Sequence, residues 1–444
     1  MNFQKLFFLL IAVLIIGTSC SDSDDDDKYQ TYDVTVKLVY PDDYTASENV
    51  TVTLVNTTTT ATYTAATNAS GEVSFKVSTG IYQVTATDNR AVSGNSYVLN
   101  GQSSLTIGNN WVSTTPVELI LNASKSGQII IKELYVGGCQ KNDGSGKFQN
   151  DAYVVLYNNS DIELSLENTA LGTSIPYNFT TANKYYTNGQ LSYEAEGWIP
   201  AGAAIWYFKN PVSIPAGKQI VIALKNAIDN TITYRNSINL ANSEYYCTYD
   251  ISGQYTNTTS YPSPASVIPT SHYLSASTYG AGNAWPISTI SPTFFIFNTE
   301  GTTPAAFASD ATNREDYFGS TSLISLKVPV EWILDGVEIK GQGVDGVKRL
   351  TSAVDAGYIT MINGYGYSVY RNVDKEATEA IASNSGKLVY SYALGTTDQE
   401  DGSTDPSTID AEASIKNGAH IKYKDTNNST NDFHQRKKAS LKGQ

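Results

Sequence analysis

The side chains that most often perform chemistry are few in this chain and lie far apart. Its three histidines are His272, His420 and His434, and none has a second histidine or a cysteine at metal-ligand spacing. There is no Gly-x-Ser-x-Gly nucleophile elbow, and the Gly-Lys pairs at 146–147 and 386–387 lack the rest of a phosphate-binding loop. We therefore expect surface histidines and no catalytic centre. A hydrolase with a carboxylate pair stays an alternative, because such a pair is defined by its separation in space.

Carboxylates cluster in two segments that could hold a cation. One runs from Asp310 to Asp316. The other contains Asp398, Glu400, Asp401, Asp405, Asp410 and Glu412. Closely spaced carboxylates in loops can coordinate calcium through oxygen, but neither spacing matches an EF-hand loop. We expect solvated acidic loops and no cofactor or metal site, with calcium binding as the alternative.

Aromatic residues are concentrated between residues 185 and 297, among Ser, Thr, Asn and Pro. Aromatic faces beside polar groups can stack on ligands such as sugars or anchor a protein interface. An irregular segment also needs bulky side chains to build a core of its own, so the sequence leaves both interpretations open. The candidate ligand-binding residues are Tyr245, Tyr246, Tyr249, Tyr255, Tyr261, Tyr273 and Trp285.

The N-terminus predicts export and attachment to a lipid. Lys5 precedes an apolar run over residues 6–16, which Gly17-Thr18-Ser19-Cys20 follows. This is the layout of a signal peptide with a lipobox, and the run is shorter than the roughly 20 residues that span a bilayer. We expect a signal peptide over residues 1–19, a lipid on Cys20 and an acidic tether over residues 20–30. A plain secretory signal with an incidental cysteine is the alternative.

The acidic stretch after Cys20 also resembles the export signal of Bacteroidota lipoproteins on the outer face of the outer membrane. That resemblance implies a lipid-anchored protein facing the cell exterior, and a plain charged spacer is the alternative. In such an oxidising compartment Cys139 and Cys247 form a possible disulfide, which requires Cα atoms within about 7 Å. Two buried free thiols are equally compatible with the sequence.

Composition limits the class of protein. The chain has 444 residues and a net charge of −14, which disfavours nucleic acid as a partner because phosphates would be repelled. Only 16% of its residues are charged, and Ser, Thr, Asn and Tyr are abundant, which favours an all-β extracytoplasmic protein. After the leader, only residues 374–384 predict a helix of any length.

Residues 31–124 predict a first β-sandwich. Apolar residues alternate at Val34, Val36, Leu38, Tyr40, Val50, Val52, Leu54, Val73, Phe75, Val77, Tyr82, Val84, Ala86, Val117, Leu119 and Leu121. Period two indicates strands with one buried face, and turn residues at 68–71 and 78–80 predict a hairpin meander. Through residues 67–75 and 80–86 this part resembles the carboxypeptidase-regulatory-like, or prealbumin-like, domain. That resemblance implies a non-catalytic spacer or binding module.

Residues 127–436 predict a thicker sandwich, because consecutive apolar residues at 129–131 and 153–157 indicate strands buried on both faces. This part resembles the lamin-tail domain, an immunoglobulin-like sandwich. The matching segments are 130–134, 151–161, 214–223, 334–338, 368–371 and 424–433. The sequence departs from the pattern of that family at Val155, where the family has Glu. It also departs at residues 436–438, which stand where the family has a Pro-Gly-rich ending. Its length implies insertions at about 225–325 and 375–420, before a basic tail over 437–444.

Leader, sandwich and enlarged lamin-tail-like domain together resemble an uncharacterised family of Bacteroidota surface lipoproteins, for which the resemblance implies no activity. We expect a non-catalytic cell-surface protein that binds an extracellular ligand or a protein partner, such as a TonB-dependent barrel of an outer-membrane nutrient-uptake system. A structural or adhesive surface protein is the alternative, and a hydrolase is a third hypothesis.

Overall fold

The computed structural model describes residues 30–92, 95–125, 128–250, 253–343, 345–395 and 404–443. The expected signal peptide, Cys20 and nearly all of the expected tether lie outside the described residues, as do Asp398, Glu400 and Asp401. The described residues contain no helix that could span a membrane.

The first unit is a β-sandwich. Its strands are β1 (Tyr32–Val39), β2 (Thr51–Asn56), β3 (Thr62–Ala66), β4 (Glu72–Val77), β5 (Gly80–Val92), β6 (Asn95–Ile107), β7 (Val117–Ile120) and β8 (Asn122–Lys125). A three-stranded sheet, β4-β1-β7, packs on a five-stranded sheet, β3-β2-β5-β6-β8. The alternating apolar residues form the core between them, with Val34, Val36 and Leu54 fully or almost fully buried. The all-β prediction is confirmed, and the alternation identifies the buried faces.

The predicted meander is wrong, because β4 and β5 belong to different sheets. Strand β4 pairs with β1, whereas β5 pairs with β2 and β6, so the turn at 78–80 passes between the sheets. The alternation did not indicate β3, which buries no residue, or β6, where Asn100 and Gly101 occupy buried positions. A Cβ atom at Gly101 would lie 2.8 Å from the carbonyl oxygen of Ile120, so the close packing of β6 requires glycine there.

The second unit contains the remaining strands. They are β9 (Ile129–Tyr135), β10 (Cys139–Gln140), β11 (Lys147–Phe148), β12 (Tyr153–Asn158), β13 (Leu164–Ser165), β14 (Thr169–Gly172), β15 (Tyr186–Thr187), β16 (Gln190–Leu191), β17 (Trp198–Gly202), β18 (Ala204–Tyr207), β19 (Ser213–Ile214), β20 (Gln219–Ala223), β21 (Tyr246–Cys247), β22 (Ser275–Thr278), β23 (Thr293–Asn298), β24 (Arg314–Asp316), β25 (Ile324–Pro329), β26 (Ile333–Gly341), β27 (Ile359–Met361), β28 (Ser368–Arg371) and β29 (Phe433–Arg436). Its short helices are α1 (Pro304–Ser309), α2 (Lys375–Glu379), α3 (Ala411–Lys416) and α4 (Ser429–Asp432).

Two six-stranded sheets form the centre of this unit. The first large sheet has the order β21-β20-β12-β9-β28-β29, and the second large sheet has the order β22-β18-β14-β23-β26-β27. The main core lies between them, and a second core joins the far side of the second large sheet to the small sheet β17-β25-β24. Further clusters cover the outer face of the first large sheet. Every residue of β9 and β12 is consequently buried, which confirms the predicted burial on both faces.

Two expected features take a different form. The range 225–325 supplies β23, which pairs with β14 on one side and β26 on the other, so part of it lies in the centre of the sandwich. The helix expected over 374–384 is only α2, capped by Asp374, followed by a 3-10 turn over Ala382–Asn384. The side-chain amide of Asn384 donates to the carbonyl oxygens of Thr378 and His420, which favours a turn over continued helix.

Candidate functional site

Three of the seven candidate aromatic residues lie inside the main core. Tyr255, Tyr261 and Trp285 are 7%, 5% and 2% exposed and surround Trp206, with ring centroids 5.8 to 6.5 Å from the centroid of that indole. The hydroxyl of Tyr261 accepts a hydrogen bond of 3.2 Å from the backbone N–H of Trp285. These rings therefore fill the space between the two large sheets, and their faces are covered by neighbouring side chains.

The other four lie near the edge strand β21. Tyr245 is buried, whereas Tyr246, Tyr249 and Tyr273 are partly buried. Tyr246 stacks on His272 with ring centroids 4.2 Å apart, and Tyr249 meets Tyr273 edge to face at 5.4 Å. The structure thus divides the sequence-predicted residues into two separate groups.

The two cysteines are free and buried, so the structure contains no disulfide between them. Cys139 lies on β10, which pairs only with β11 among the described strands. Cys247 lies on β21, in a hydrophobic cluster that covers the outer face of the first large sheet. Burial raises the pKa of both thiols to about 12, and the carboxylate of Asp151 contributes at Cys139. Both thiols are consequently held in their protonated, unreactive form.

Where they are described, two of the histidines and several carboxylates of the acidic clusters form hydrogen bonds within the protein. The expectation of a surface position is wrong for His434, which is fully buried and hydrogen-bonds to Asn372 and Tyr392. Asp310 accepts two hydrogen bonds from Thr312, one from its backbone N–H and one from its hydroxyl. Among the described residues, no group of three or more His, Cys, Asp or Glu side chains is placed to hold a metal ion.

A cleft of about 790 Å³ lies between the two units, and none of the seven candidate aromatic residues lines it. One wall is the outer face of the five-stranded sheet, and the other is formed by the segments 356–362 and 428–435. This volume is within the range typical of ligand sites, about 300–1,000 Å³. We define these two walls as the interdomain cleft.

The sheet wall of the interdomain cleft is a row of small polar side chains. Thr53 on β2 lies opposite Thr85 on β5, which in turn lies opposite Gln102 on β6. Gln83 lies two residues before Thr85 on the same face. Within the described parts of the chain, these four side chains make no hydrogen bond to another protein group. Their hydrogen-bond donors and acceptors therefore face the cleft without partners among the described residues.

The opposite wall is held in a fixed conformation by hydrogen bonds. The hydroxyl of Thr430 accepts from the backbone N–H of Tyr358 at 3.1 Å and donates to its carbonyl oxygen at 2.8 Å. The Tyr358 ring is flanked by Lys340, whose ammonium lies 5.3 Å from the ring centroid, and by Phe179. A Cβ atom at Gly357 would lie 2.1 Å from Oδ1 of Asn428, so only glycine permits this contact.

Buried carboxylates fix this wall to the second large sheet. Oδ1 of Asp355 accepts from the backbone N–H groups of Gly357 and Ser429, and Oδ2 accepts from the N–H of Glu338. Glu338 in turn forms an ion pair of 2.7 Å with Arg349, and both side chains are fully buried. Burial opposes ionisation of Glu338, but Arg349 keeps its pKa below the ordinary value. Hydrogen bonds to Asp355 thus connect the cleft wall to a buried ion pair of the second unit.

The interdomain cleft also depends on how the two units meet. Asn100, fully buried on β6, donates through Nδ2 to the carbonyl oxygen of Thr426 at 2.7 Å and accepts from Thr87 at 2.7 Å. A second cavity of about 480 Å³ adjoins the cleft, with Thr87, Thr430 and Asn431 lining both. The sequence signal for this site was the alternation of Thr and Gln on the outer face of β2, β5 and β6. That signal is weak, because polar outer faces are typical of ordinary sandwiches.

Comparison with known proteins identifies a similar family. Residues 215–390 match the family model of DUF4876, described as a protein of unknown function. Over that range the chain is similar to an uncharacterised family. A solved DUF4876 family protein from Bacteroides thetaiotaomicron is 19% identical, with a TM-score of 0.49, and the alignment covers 90% of this chain and 94% of that chain.

A second solved structure is far less similar. The major pilin of Streptococcus pyogenes, as its N168A mutant, is 11% identical with a TM-score of 0.12, covering 67% of this chain and 91% of that one. No curated protein matches the chain. These structural likenesses carry no information on what the chain binds.

Proposed function

We propose that this protein is a non-catalytic binding protein that holds its ligand in the interdomain cleft. The observation that supports this is the row of Thr53, Thr85 and Gln102, whose polar groups face the cleft without protein partners among the described residues. Such groups hydrogen-bond to water in the free protein, and they can supply direct hydrogen bonds to a bound molecule. The opposite wall is already ordered, so binding would lose little conformational entropy.

We further propose that a lipid on Cys20 anchors the protein to the outer membrane, facing the cell exterior. The motivation is the leader pattern and the acidic residues that follow it. In this position the protein would act as an accessory of a nutrient-uptake system and would deliver its ligand to a TonB-dependent barrel.

Photo-crosslinking in intact cells tests the binding site. A benzoylphenylalanine placed at Gln102 should capture a ligand or partner, whereas the same residue placed at Thr64 should not. Thr64 lies opposite Thr53 on β3 but outside the cleft, so it is a matched control on the same sheet. Identical adducts from both positions, or none from either, would contradict binding in the cleft.

Release and protease experiments test the anchor separately. Cys20→Ser should release the protein from the membrane fraction, and external protease should digest the wild-type chain on intact cells. Complete protection from protease would place the protein on the inner face of the membrane.

A further inference from the structure

The chemistry of the interdomain cleft defines a class of ligand. We infer that the cleft binds a neutral oligosaccharide. This inference rests on the proposed function above and adds to it the chemical nature of the molecule that is bound.

Charge is the first criterion. None of the described residues that line the interdomain cleft is an Asp, Glu, Lys, Arg or His, although 16% of the whole chain is charged. A phosphate, a carboxylate or an amine would lose its hydration on entry and find no opposite charge in the lining. Burying an unpaired charge is strongly unfavourable. The cleft therefore favours a ligand without formal charge.

The hydrogen-bonding groups are the second criterion. The lining combines threonine hydroxyls with amide side chains such as Gln83, Gln102 and Asn431. Each hydroxyl both donates and accepts, and each amide offers two donors and an acceptor, so together they match a ligand that also does both. Neighbouring strands are about 4.8 Å apart, so the row Thr53, Thr85 and Gln102 presents polar groups at regular intervals. A sugar carries several hydroxyls, each of which donates and accepts, whereas an apolar ligand would leave these groups unpaired.

Apolar surface is the third criterion. Tyr358 lies in the opposite wall with Ile362 nearby, and Val55 lies in the sheet wall. Sugar rings have C–H faces that pack on aromatic and aliphatic side chains while their hydroxyls point outward. The interdomain cleft offers both kinds of surface within one site.

The adjoining cavity indicates the length of the ligand. It continues from the cleft past Thr87, Thr430 and Asn431 and adds about 480 Å³, and Lys424 is the one charged residue among the described residues that line it. A single sugar ring would leave this second cavity empty. A chain of several rings could occupy both, which is why an oligosaccharide rather than a monosaccharide is inferred.

Ligand screening with the full chain, purified in detergent, tests the ligand class. The probes are arrays of gluco-, manno-, galacto- and xylo-oligosaccharides, with uronic-acid-containing and sulfated oligosaccharides and uncharged peptides for comparison. We expect binding among the neutral sugars only. Calorimetric titration of the best sugar should give a dissociation constant at least about 10-fold lower for the tetrasaccharide than for the monosaccharide.

Variants connect that binding to the interdomain cleft. Thr85→Ala and Gln102→Ala should each weaken binding by about 3- to 10-fold, the effect of one lost hydrogen bond, and Tyr358→Ala by about 10-fold. Thr64→Ala, outside the cleft on the same sheet, should bind as the wild type does. Thr85 and Gln102 have no protein partners among the described residues, so these variants should unfold at the wild-type temperature.

The outcomes separate this inference from the proposed function. If acidic sugars or peptides bind and Gln102→Ala weakens that binding, the ligand class is wrong and the cleft is still the binding site. If no sugar binds, the inference is overturned, and the crosslinking at Gln102 decides whether the cleft binds anything. If neutral sugars bind equally well to Thr85→Ala and Gln102→Ala, both proposals are wrong.

Discussion

The ion pair between Lys132 and Glu412 allows a quantitative test of the fold. Lys132 on β9 is 1% exposed, and its ammonium lies 2.9 Å from Oε1 of Glu412 on α3 and donates to Gln219 at 2.7 Å. The hydroxyl of Tyr370 donates to the same carboxylate oxygen at 2.7 Å. Three tyrosine rings lie within 6 Å of the ammonium, those of Tyr157, Tyr370 and Tyr423. Glu412→Gln would keep the shape of the side chain and leave a buried cation without its counter-charge.

The pKa of Glu412 and the usual cost of breaking a buried ion pair both indicate how much stability Glu412→Gln removes. Burial alone would raise the pKa of Glu412, but the charge and the hydrogen bond of Lys132 lower it from 4.5 to about 2. At about 1.4 kcal/mol per pH unit, this corresponds to about 3 kcal/mol of stability. Removing one partner of a buried ion pair typically costs about 3–5 kcal/mol. We therefore expect Glu412→Gln to lower the free energy of unfolding by about 3 kcal/mol at pH 7.

The sign of the pH dependence follows from the lowered pKa. Glu412 stabilises the folded state above its ordinary pKa, and this stabilisation is lost as the pH falls from about 4.5 towards 2. Urea unfolding followed by tryptophan fluorescence measures it, because four of the five tryptophans lie in the second unit. The free energies of unfolding of the wild type and Glu412→Gln should differ by about 3 kcal/mol at pH 7 and by much less near pH 2.

A matched control is available in the same region. Glu379 also accepts a hydrogen bond from a tyrosine hydroxyl, that of Tyr390 at 2.8 Å, but it is exposed. Glu379→Gln should change the stability by less than about 0.5 kcal/mol. A loss below about 1 kcal/mol for Glu412→Gln at pH 7, or an unchanged difference at pH 2, would refute the reasoning.

Three further predictions concern other buried groups. Arg349→Met should lower the free energy of unfolding by about 3–5 kcal/mol in urea titrations, because it leaves the Glu338 carboxylate buried and unpaired, and a neutral result would contradict this. Asn100→Ala should speed amide hydrogen exchange over residues 424–428 by about 10-fold, since it removes donors that dock the two units; unchanged exchange would show that other contacts hold them. Cys139 and Cys247 should not react with a thiol reagent in the native protein and should both react after unfolding, whereas a single reactive thiol in the native state would argue against their burial.

Much of the fold could be predicted from the sequence where the pattern of apolar residues reports burial directly. Alternation from Val34 to Val84 marks which side chains face the first core, and the consecutive run at 153–157 marks a strand covered on both faces. Both patterns are local, since side chains alternate across any strand whatever its partners. The expectation of surface histidines, by contrast, failed at His434, because burial there depends on packing from distant segments.

The pairing of the strands was decided only in three dimensions. Alternation is the same for a hairpin and for a crossover between sheets, which is why β4 and β5 were wrongly joined. The aromatic residues near 245–285 show the same limit of sequence-based prediction. A tyrosine or tryptophan that could stack on a ligand looks the same in the sequence as one that fills a core. Only the positions of the two large sheets placed Tyr255, Tyr261 and Trp285 around Trp206.

The sequence by itself determined that the chain is rich in β-strands, because the pattern that indicates them is carried by neighbouring residues. A lipoprotein leader and the lack of a catalytic centre are also predictions from neighbouring residues. The interdomain cleft was decided by tertiary structure alone. Its walls come from segments around residues 53, 85, 102, 358 and 430, none of which is unusual in its local sequence. A cleft of this kind exists only when folding brings distant segments together, because its walls are far apart in the sequence.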